Sequence, residues 1–303
     1  GGVFMFKRFA RLSLALVFIL LSTTLIGTSS ASKYPMEVKS GGYITKLSAK
    51  PIRIISLSPS ATEILFALNA DSQVLAVDDN SNYPARVPKS DLSSFTPNVE
   101  AIAALNPDLV VLQINATNAK TVRDALTKIE IPVFVEPAAK NVNDTYKEIR
   151  LIGKVIDKEK AAKKLIAEMK SRIKKALVTN KNKSKLKFFH ELDNTLYTAT
   201  SKTFIGSVYK DFGLINVADA ASGSDSSGYP QLSAEYLIKS NPDLIFLADA
   251  QYGESIDSLK ARPGWSAISA VKNNRIIALP ADIPSRWGPR IVDFYELVGK
   301  SIK

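Results

Sequence analysis

The sequence contains no cysteine and only one histidine, His190. Without a thiol the chain has no cysteine nucleophile, no thiolate zinc site and no Cys-ligated iron–sulfur cluster. A single imidazole cannot build a multi-histidine zinc cage or a pair of catalytic imidazoles. We therefore predict that the protein has no metal site and no cofactor of its own.

Length and composition are those of a globular protein. The chain has 303 residues, of which 46% are hydrophobic and 23% charged, enough to form two cores. These values exclude a disordered or collagen-like chain. Taken alone, the net charge of +11 favours a partner that is a nucleic acid or an anionic surface. The basic residues are dispersed, however, and the densest run, at 181–185, is typical of a solvated linker, so we predict no nucleic-acid partner.

The N-terminus has the pattern of a secretory signal. Basic residues precede an uncharged run at 12–26, and Ser29 and Ala31 then occupy the small-x-small positions of a cleavage site. We predict a signal peptide at 1–31 with Met5 as the true start, and a mature chain of net charge +8 outside the cytoplasm. An uncleaved membrane anchor is the alternative. Lipidation at this site would need a cysteine, so a lipoprotein is not expected.

Short apolar strands alternate with helices along the rest of the chain, which is typical of α/β layers. A hairpin is predicted around Gly41 and Gly42, and a long amphipathic helical stretch, with an N-cap at Asp157, separates two halves. We predict an N-terminal lobe at 32–141, connecting helices at 142–180 and a C-terminal lobe at 181–303. The predicted strands are 53–57, 74–77, 109–112 and 133–135 in the first half, and 186–190, 244–247 and 275–279 in the second.

One segment is repeated. Residues 100–112 (EAIAALNPDLVVL) resemble residues 235–247 (EYLIKSNPDLIFL) at an offset of 135. Each copy predicts a short helix, an Asn-Pro-Asp turn whose Asn is biased toward extended geometry, and a buried strand. Asn98 and Ser233 are the predicted N-caps, so Glu100 and Glu235 would each lie in a first helical turn. Chance recurrence of a common connection is the alternative; a true repeat indicates two similar lobes around a cleft.

In open α/β sheets a ligand binds beyond the carboxyl ends of the strands. Aromatic rings with a few hydrogen-bonding groups at these ends would suit a large, partly apolar ligand. Taken singly, such aromatics also occur as core plugs and such charges as surface pairs. The candidate ligand contacts are Ser58, Pro59, Asn80, Tyr83, Phe95, Glu191, Tyr229, Asp282, Arg286 and Trp287.

Four motifs carry a resemblance to a known family. They are residues 51–68 (PIRIISLSPSATEILFAL), the Asn-Tyr-Pro turn at 82–84, the two Asn-Pro-Asp-Leu copies and residues 285–290 (SRWGPR). Over roughly 34–302 the chain resembles the cobalamin/ferric-siderophore class of substrate-binding proteins, which feed ABC importers. The resemblance implies two Rossmann-like lobes joined by one long rigid helix near 158–178, with the ligand cleft between the lobes. It also implies that Glu100 and Glu235 meet arginines on a permease dimer.

The match to the cobalamin-binding members of this class is partial. Phe95 and Tyr229 stand where those members carry Trp, and Asn80 stands where they carry a stacking Tyr. Asp282 and Arg286 match their polar ligand contacts. The resemblance therefore implies cobalamin or a related corrinoid as the ligand, with a ferric siderophore or haem as alternatives.

His190 lies in a predicted strand, where we expect a buried, hydrogen-bonded ring; axial ligation of a corrin or haem metal is the alternative. No nucleophile elbow, Walker motif or dinucleotide fingerprint occurs in the sequence. A secreted α/β hydrolase using His190, or an adhesion module, is therefore a weaker hypothesis than a monomeric binding protein without enzymatic activity.

Overall fold

The computed structural model describes residues 33–179, 185–221, 227–280 and 282–303. The predicted signal peptide, most of the basic run at 181–185 and the predicted boundary at 180 lie outside the described residues. Within the described part of the chain, no helix combines the length and the apolar character needed to cross a bilayer.

The chain begins with an antiparallel hairpin of β1 (Met36–Ser40) and β2 (Tyr43–Leu47). Gly41 and Gly42 take φ of 58° and 85°, the left-handed values that a tight hairpin turn requires. The hairpin lies on the edge of the first sheet, where a Cβ on Gly41 would come within 2.9 Å of the Val135 carbonyl oxygen. The predicted hairpin is thus confirmed.

Four parallel strands form the first sheet, in the order β4-β3-β5-β6. Because helices cover this sheet, its strands are buried apolar runs rather than alternating ones. The strands are β3 (Ile54–Leu57), β4 (Val74–Val77), β5 (Leu109–Gln113) and β6 (Val133–Glu136). The helices of this half are α1 (Pro59–Ala67), α2 (Val99–Ala104) and α3 (Ala119–Lys128).

Two helices follow, α4 (Val142–Val155) and α5 (Glu159–Thr179). They pack so closely that a Cβ on Gly153 would lie 2.6 Å from the Cβ of Ala162. The predicted N-cap at Asp157 is wrong, because α5 begins two residues later. Asp157 instead takes φ of 57° and pairs with Lys33 at 2.7 Å.

The second half repeats the architecture of the first. Its parallel sheet has the order β10-β9-β7-β8, and read from β8 this is the order of the first sheet. The strands are β7 (Lys187–Glu191), β8 (Ile215–Asn216), β9 (Leu244–Leu247) and β10 (Ile276–Ala278). The helices are α6 (Phe204–Asp211), α7 (Val217–Ala221), α8 (Ala234–Ser240), α9 (Ile256–Lys260), α10 (Ser269–Lys272) and α11 (Ile291–Ser301).

The two Asn-Pro-Asp turns have the same role in both sheets, as a true repeat predicts. Asp108 accepts hydrogen bonds from the Ile52 and Arg53 N–H groups just before β3, and Asp243 accepts one from the Lys187 N–H at the start of β7, all at 2.8 Å. A basic side chain near the start of the first strand of each sheet makes a similar bond, although Arg53 and Lys187 are 134 rather than 135 residues apart. Arg53 donates to the Leu105 carbonyl and Lys187 to the Ser240 carbonyl, both at 2.7 Å.

The geometry of the turns differs from the prediction in one respect. Asn106 and Asn241 both take φ of 49° rather than an extended conformation. Asparagine tolerates the left-handed region better than other non-glycine residues, and here that preference outweighs the bias from the following proline.

The core explains how the halves are held together. One buried cluster includes Ile54 of β3, Ile166 of α5 and Phe246 of β9, so apolar packing runs from one half through α5 into the other. The predicted α/β class with two lobes is confirmed. Since α5 has 21 residues, it is about 31 Å long, which suits a strut between the two sheets.

The paired turns predict paired effects on stability. Asp108→Ala should lower the free energy of unfolding by about 1–3 kcal/mol, because two backbone N–H groups lose their acceptor. Asp243→Ala should cost less, about 1 kcal/mol, since one such bond is lost. Urea unfolding measures both, with the exposed Asp91→Ala as control. A loss for Asp108→Ala no larger than for Asp91→Ala would contradict the structural role of the turn.

Candidate functional site

The carboxyl ends of parallel strands share one edge of their sheet, and in both halves buried polar side chains mark that edge. In the first half they are Ser58, Asp78, Gln113 and Glu136, and in the second Glu191 and Asp249. Burial raises the pKa of Asp78 and of Asp249. Polar groups that are held in place inside a protein suit ligand orientation, because they do not need to rearrange on binding.

Glu136 is one of the fully enclosed groups at this edge. It ends β6, is fully buried, and accepts hydrogen bonds from the Ser58 hydroxyl and from the Trp287 indole N–H, the latter at 3.2 Å. Burial raises the pKa of Glu136 to about 7. Burial and the charge of Glu136 together raise the pKa of Glu148 on α4. Glu136 was not predicted from the sequence, although it stands at the carboxyl end of β6, where ligand contacts are expected.

Ser58 and Pro59 begin α1. The Ser58 hydroxyl accepts from the Ala61 N–H as the N-cap while it donates to Glu136, and the residue is 1% exposed. Pro59 occupies the first helical position, as its fixed φ favours. In this structure both hydrogen-bonding directions of the Ser58 hydroxyl are used within the protein.

Three predicted ligand contacts lie together: Asn80, Asp282 and Arg286. The Arg286 guanidinium donates to the Asn80 carbonyl at 2.9 Å and to Asn82 Oδ1 at 2.7 Å. It also pairs with Asp282 at 3.4 Å and with Glu63 of α1 at 3.3 Å. The guanidinium is therefore neutralised and bonded by protein groups from both halves.

Glu63 is a residue that the sequence analysis did not single out. Its side chain is 1% exposed and pairs with Arg290 at 2.5 Å as well as with Arg286. The sequence did offer a signal for this residue, because Glu63 is an acid among the uncharged residues of α1. The predicted residue Tyr83 lies at this point, with its ring 4.1 Å from the Arg290 guanidinium. It lines a cavity of about 340 Å³ together with Leu165 and Met169 of α5.

Phe95 and Tyr229 lie one in each half. They are 57% and 41% exposed. The Phe95 carbonyl accepts from the Thr117 N–H at 2.7 Å, which ties its loop to the segment after β5. Residues 228 and 230, on either side of Tyr229, accept from backbone N–H groups of the segment after β7 at 2.9 and 3.0 Å. Two exposed aromatic rings are thus held on anchored loops.

Glu191 is fully buried at the end of β7. Both of its oxygens accept from Arg262, at 2.6 and 2.7 Å, so neither is open to a ligand in this structure. Burial raises the pKa of Glu191 to about 7, and the Arg262 guanidinium opposes that rise. Arg262 was not predicted, because nothing in the local sequence connects it with a strand 71 residues earlier.

His190 is also fully buried, and its Nδ1 is hydrogen-bonded to the Tyr209 hydroxyl at 2.7 Å. Burial lowers the pKa of His190 to about 3, so the ring is neutral. The prediction of a buried, hydrogen-bonded histidine is confirmed. Among the described residues, no three His, Cys, Asp or Glu side chains are grouped so that they could hold a metal ion.

Glu100 and Glu235 are exposed in the first turns of α2 and α8. The predicted caps are confirmed, because Asn98 accepts from the Ala101 N–H at 2.8 Å and Ser233 from the Tyr236 N–H at 3.1 Å. The two glutamates therefore hold equivalent positions in the repeat and make none of the ion pairs found in the described chain.

Comparison with known proteins identifies the family. The model of the periplasmic binding protein family matches residues 54–283, which is most of the chain. The chain belongs to the periplasmic binding protein family. Its members are substrate-binding proteins rather than enzymes, so the prediction of a non-enzymatic binding protein that works with an ABC importer outside the cytoplasm is confirmed at this level.

Individual members of the periplasmic binding protein family are similar over most of their length. An uncharacterized ABC transporter substrate-binding lipoprotein of Bacillus subtilis, YvrC, is 33% identical over 84% of this chain and 80% of its own. A cobalamin-binding protein of Halobacterium salinarum is 29% identical over 82% of this chain and 68% of its own. A solved structure from Staphylococcus epidermidis, described as a possible iron-binding periplasmic solute-binding protein, has 31% identity and a TM-score of 0.71, covering 83% of this chain and 98% of that one.

The raised pKa of Glu136 predicts a pH effect. The folded state holds this proton up to about pH 7, whereas the unfolded chain releases it near 4.5. The stability that protonated Glu136 contributes is therefore complete below pH 4.5 and lost as pH rises through 7. As the pH rises from 5 to 8, the free energy of unfolding of Glu136→Gln should therefore increase by up to about 3 kcal/mol relative to that of the wild type.

Denaturant unfolding at both pH values measures this gain. The exposed Glu37→Gln is the control and should show the same difference from wild type at pH 5 and pH 8. The same constant difference for Glu136→Gln would mean that Glu136 does not titrate in this range.

Proposed function

We propose that the protein captures cobalamin or a related corrinoid and delivers it to an ABC importer. The observation that carries this proposal is the pair of exposed aromatic rings, Phe95 and Tyr229, held on anchored loops in opposite halves. Corrin rings are large and partly apolar, so an aromatic wall on each side would bury much of their surface. The similarity to a cobalamin-binding protein supports the same ligand class.

The charges near the strand ends also favour cobalamin. Arg286 and Arg262 are bonded to carboxylates of the protein, so neither offers a free counter-charge to an anionic ligand. Cobalamin presents amides around its ring and needs hydrogen bonds more than a full counter-charge. Asn80 is an exposed polar residue at this edge and provides a hydrogen-bonding partner of that kind.

A ferric siderophore or haem is the second candidate ligand. The observation that favours it is the similarity to a solved structure described as possibly iron-binding. Absorbance spectra of the protein as purified, followed by titration with cyanocobalamin, haemin and a ferric hydroxamate, separate the two candidates. Binding of cyanocobalamin alone supports the proposal. Binding of an iron chelate alone would replace cobalamin with that chelate as the proposed ligand. Binding of none of the three would overturn the assignment to a metal chelate.

The aromatic walls give a direct prediction. Phe95→Ala and Tyr229→Ala should each weaken cyanocobalamin binding by about 1–3 kcal/mol, roughly a factor of 5 to 150 in Kd, because each removes one ring face. Calorimetric titration measures the effect. The control is Ile52→Ala, another exposed apolar residue, at the opposite ends of the strands. Titration curves equal to wild type for both aromatic variants would remove this cleft assignment.

We also propose that Glu100 and Glu235 dock onto the permease dimer. They hold equivalent places in two similar halves, so they would present two carboxylates to a receptor that is itself built from two similar subunits. A carboxylate in the first turn of a helix contributes only about 0.3–1 kcal/mol to stability, so folding alone gives little reason for both. Exposed charges at an interface mainly govern association.

The docking proposal separates transport from binding. The double variant Glu100→Ala/Glu235→Ala should keep wild-type affinity for ligand and lose uptake, with each single variant intermediate and reversal to Lys worse than Ala. Uptake by vesicles containing the cognate importer is measured beside ligand titration. The control is Glu37→Ala/Asp257→Ala, with one exposed acid from each half. Normal transport by the Glu100/Glu235 double variant would leave both residues as helix-end charges.

The remaining proposals concern organisation. We propose that the signal peptide at 1–31 is cleaved, that the mature protein is a monomer, and that the lobes extend over 32–141 and 181–303 with the connecting helices at 142–180. Mass spectrometry and light scattering of the secreted protein test the first two.

A further inference from the structure

The segment 282–290, which follows β10, belongs in sequence to the second half but is bonded mainly to the first. Arg286 and Arg290 both pair with Glu63 of α1, at 3.3 and 2.5 Å. Trp287 donates its indole N–H to Glu136 at the end of β6. We call Glu63, Arg286 and Arg290 together the Glu63 clamp.

The backbone of this segment lies directly against α1. A Cβ on Gly288 would come within 3.0 Å of Glu63 Oε2 and 3.3 Å of the Ser60 carbonyl oxygen. A side chain at this position would fit only if Glu63 or Ser60 shifted by a few tenths of an ångström, so glycine suits this approach best. The contact is therefore built into the backbone and does not consist of flexible side chains alone.

Trp287 itself connects the two halves. Its N–H is held by Glu136 of the first sheet, and its ring packs edge-on against Phe204 of α6, with ring centroids 6.3 Å apart and an interplanar angle of 76°. The residues on either side of it are fixed by the clamp and by the close packing of Gly288. The orientation of the indole thus depends on both halves at once.

Charge makes the clamp hard to open. The carboxylate of Glu63 is 1% exposed, and the Arg286 and Arg290 side chains are 11% and 19% exposed. Separating the segment from α1 would leave a buried carboxylate without either partner, and uncompensated buried charge is strongly unfavourable. Arg286 has further bonds to Asn80 and Asn82, so both of its terminal nitrogens, Nη1 and Nη2, are engaged by the protein.

We propose that the Glu63 clamp is a positioning device: it fixes Trp287 as a preformed wall between the halves and holds the halves at one separation before ligand arrives. Arg286 is then a positioning residue rather than the counter-charge of the ligand. The part of this inference that concerns ligand affinity rests on the proposed function. The part that concerns Trp287 does not.

The test on the free protein uses Glu63→Gln, which keeps the shape and removes the charge. Trp287 fluorescence is isolated by subtracting the spectrum of Trp287→Phe, which leaves Trp265. We expect Glu63→Gln to raise the acrylamide quenching constant of Trp287 at least twofold and to shift its emission to the red. The control is Arg86→Lys, a change at an arginine that lines the same cavity but pairs with Asp71, and it should change neither value.

The ligand measurement uses cyanocobalamin. We expect about a tenfold higher Kd for Glu63→Gln, with partial recovery in Glu63→Asp, which restores the charge. If Glu63→Gln does not fold, Asn82→Ala and Arg286→Lys weaken the same network and receive the same quenching measurement. A folded variant with wild-type quenching of Trp287 overturns the clamp. Failure of the wild type to bind cyanocobalamin overturns only the proposed ligand, because the quenching result stands without it.

Discussion

The carboxylate of Glu63 has almost no access to water, and the junction of the two halves depends on its neutralisation. An isolated buried carboxylate would be too costly to keep charged, but two guanidiniums from the segment 282–290 bring the local charge to a tolerable balance. Moving the segment away from α1 would therefore leave the buried Glu63 carboxylate without either guanidinium partner. The orientations of Asn82 and Trp287 depend on this segment. Asn82 accepts a hydrogen bond from Arg286, and Trp287 follows Arg286 in the chain and donates to Glu136.

At the carboxyl edge of each sheet, a buried carboxylate likewise needs hydrogen-bond donors, and the donors differ between the two sheets. Glu136 and Glu191 each end a strand, each is fully buried, and burial raises the pKa of each to about 7. Glu136 is satisfied by neutral donors and Glu191 by the Arg262 guanidinium. In both cases the donors come from distant parts of the chain, so the acid fixes their positions. Each of these two buried acids thus holds donors from distant segments at the carboxyl edge of its sheet.

The sequence predicted what local patterns encode. Strands Val74–Val77 and Leu244–Leu247 were predicted at their observed bounds, because apolar runs ended by turn residues are a local signal. Pairing of Glu63 with Arg290, 227 positions away, has no local signal. The resemblance assigned Arg286 to the ligand, whereas the structure shows which protein groups engage it. Family motifs thus located the region of the site, and only the fold revealed the partners within it.

The internal repeat occurs in both halves, whereas the segment that forms the clamp occurs once. Asn-Pro-Asp turns, strand order and the capped helices of Glu100 and Glu235 recur in both halves, so the surface that carries these glutamates has two equivalent points. Segment 282–290 has no such counterpart, because the positions 135 residues earlier, 147–155, lie within α4. A duplicated architecture alone would allow the halves to move about α5. One unpaired segment bonded to α1 opposes that movement, so the two glutamates of the repeat, one in each half, keep one separation.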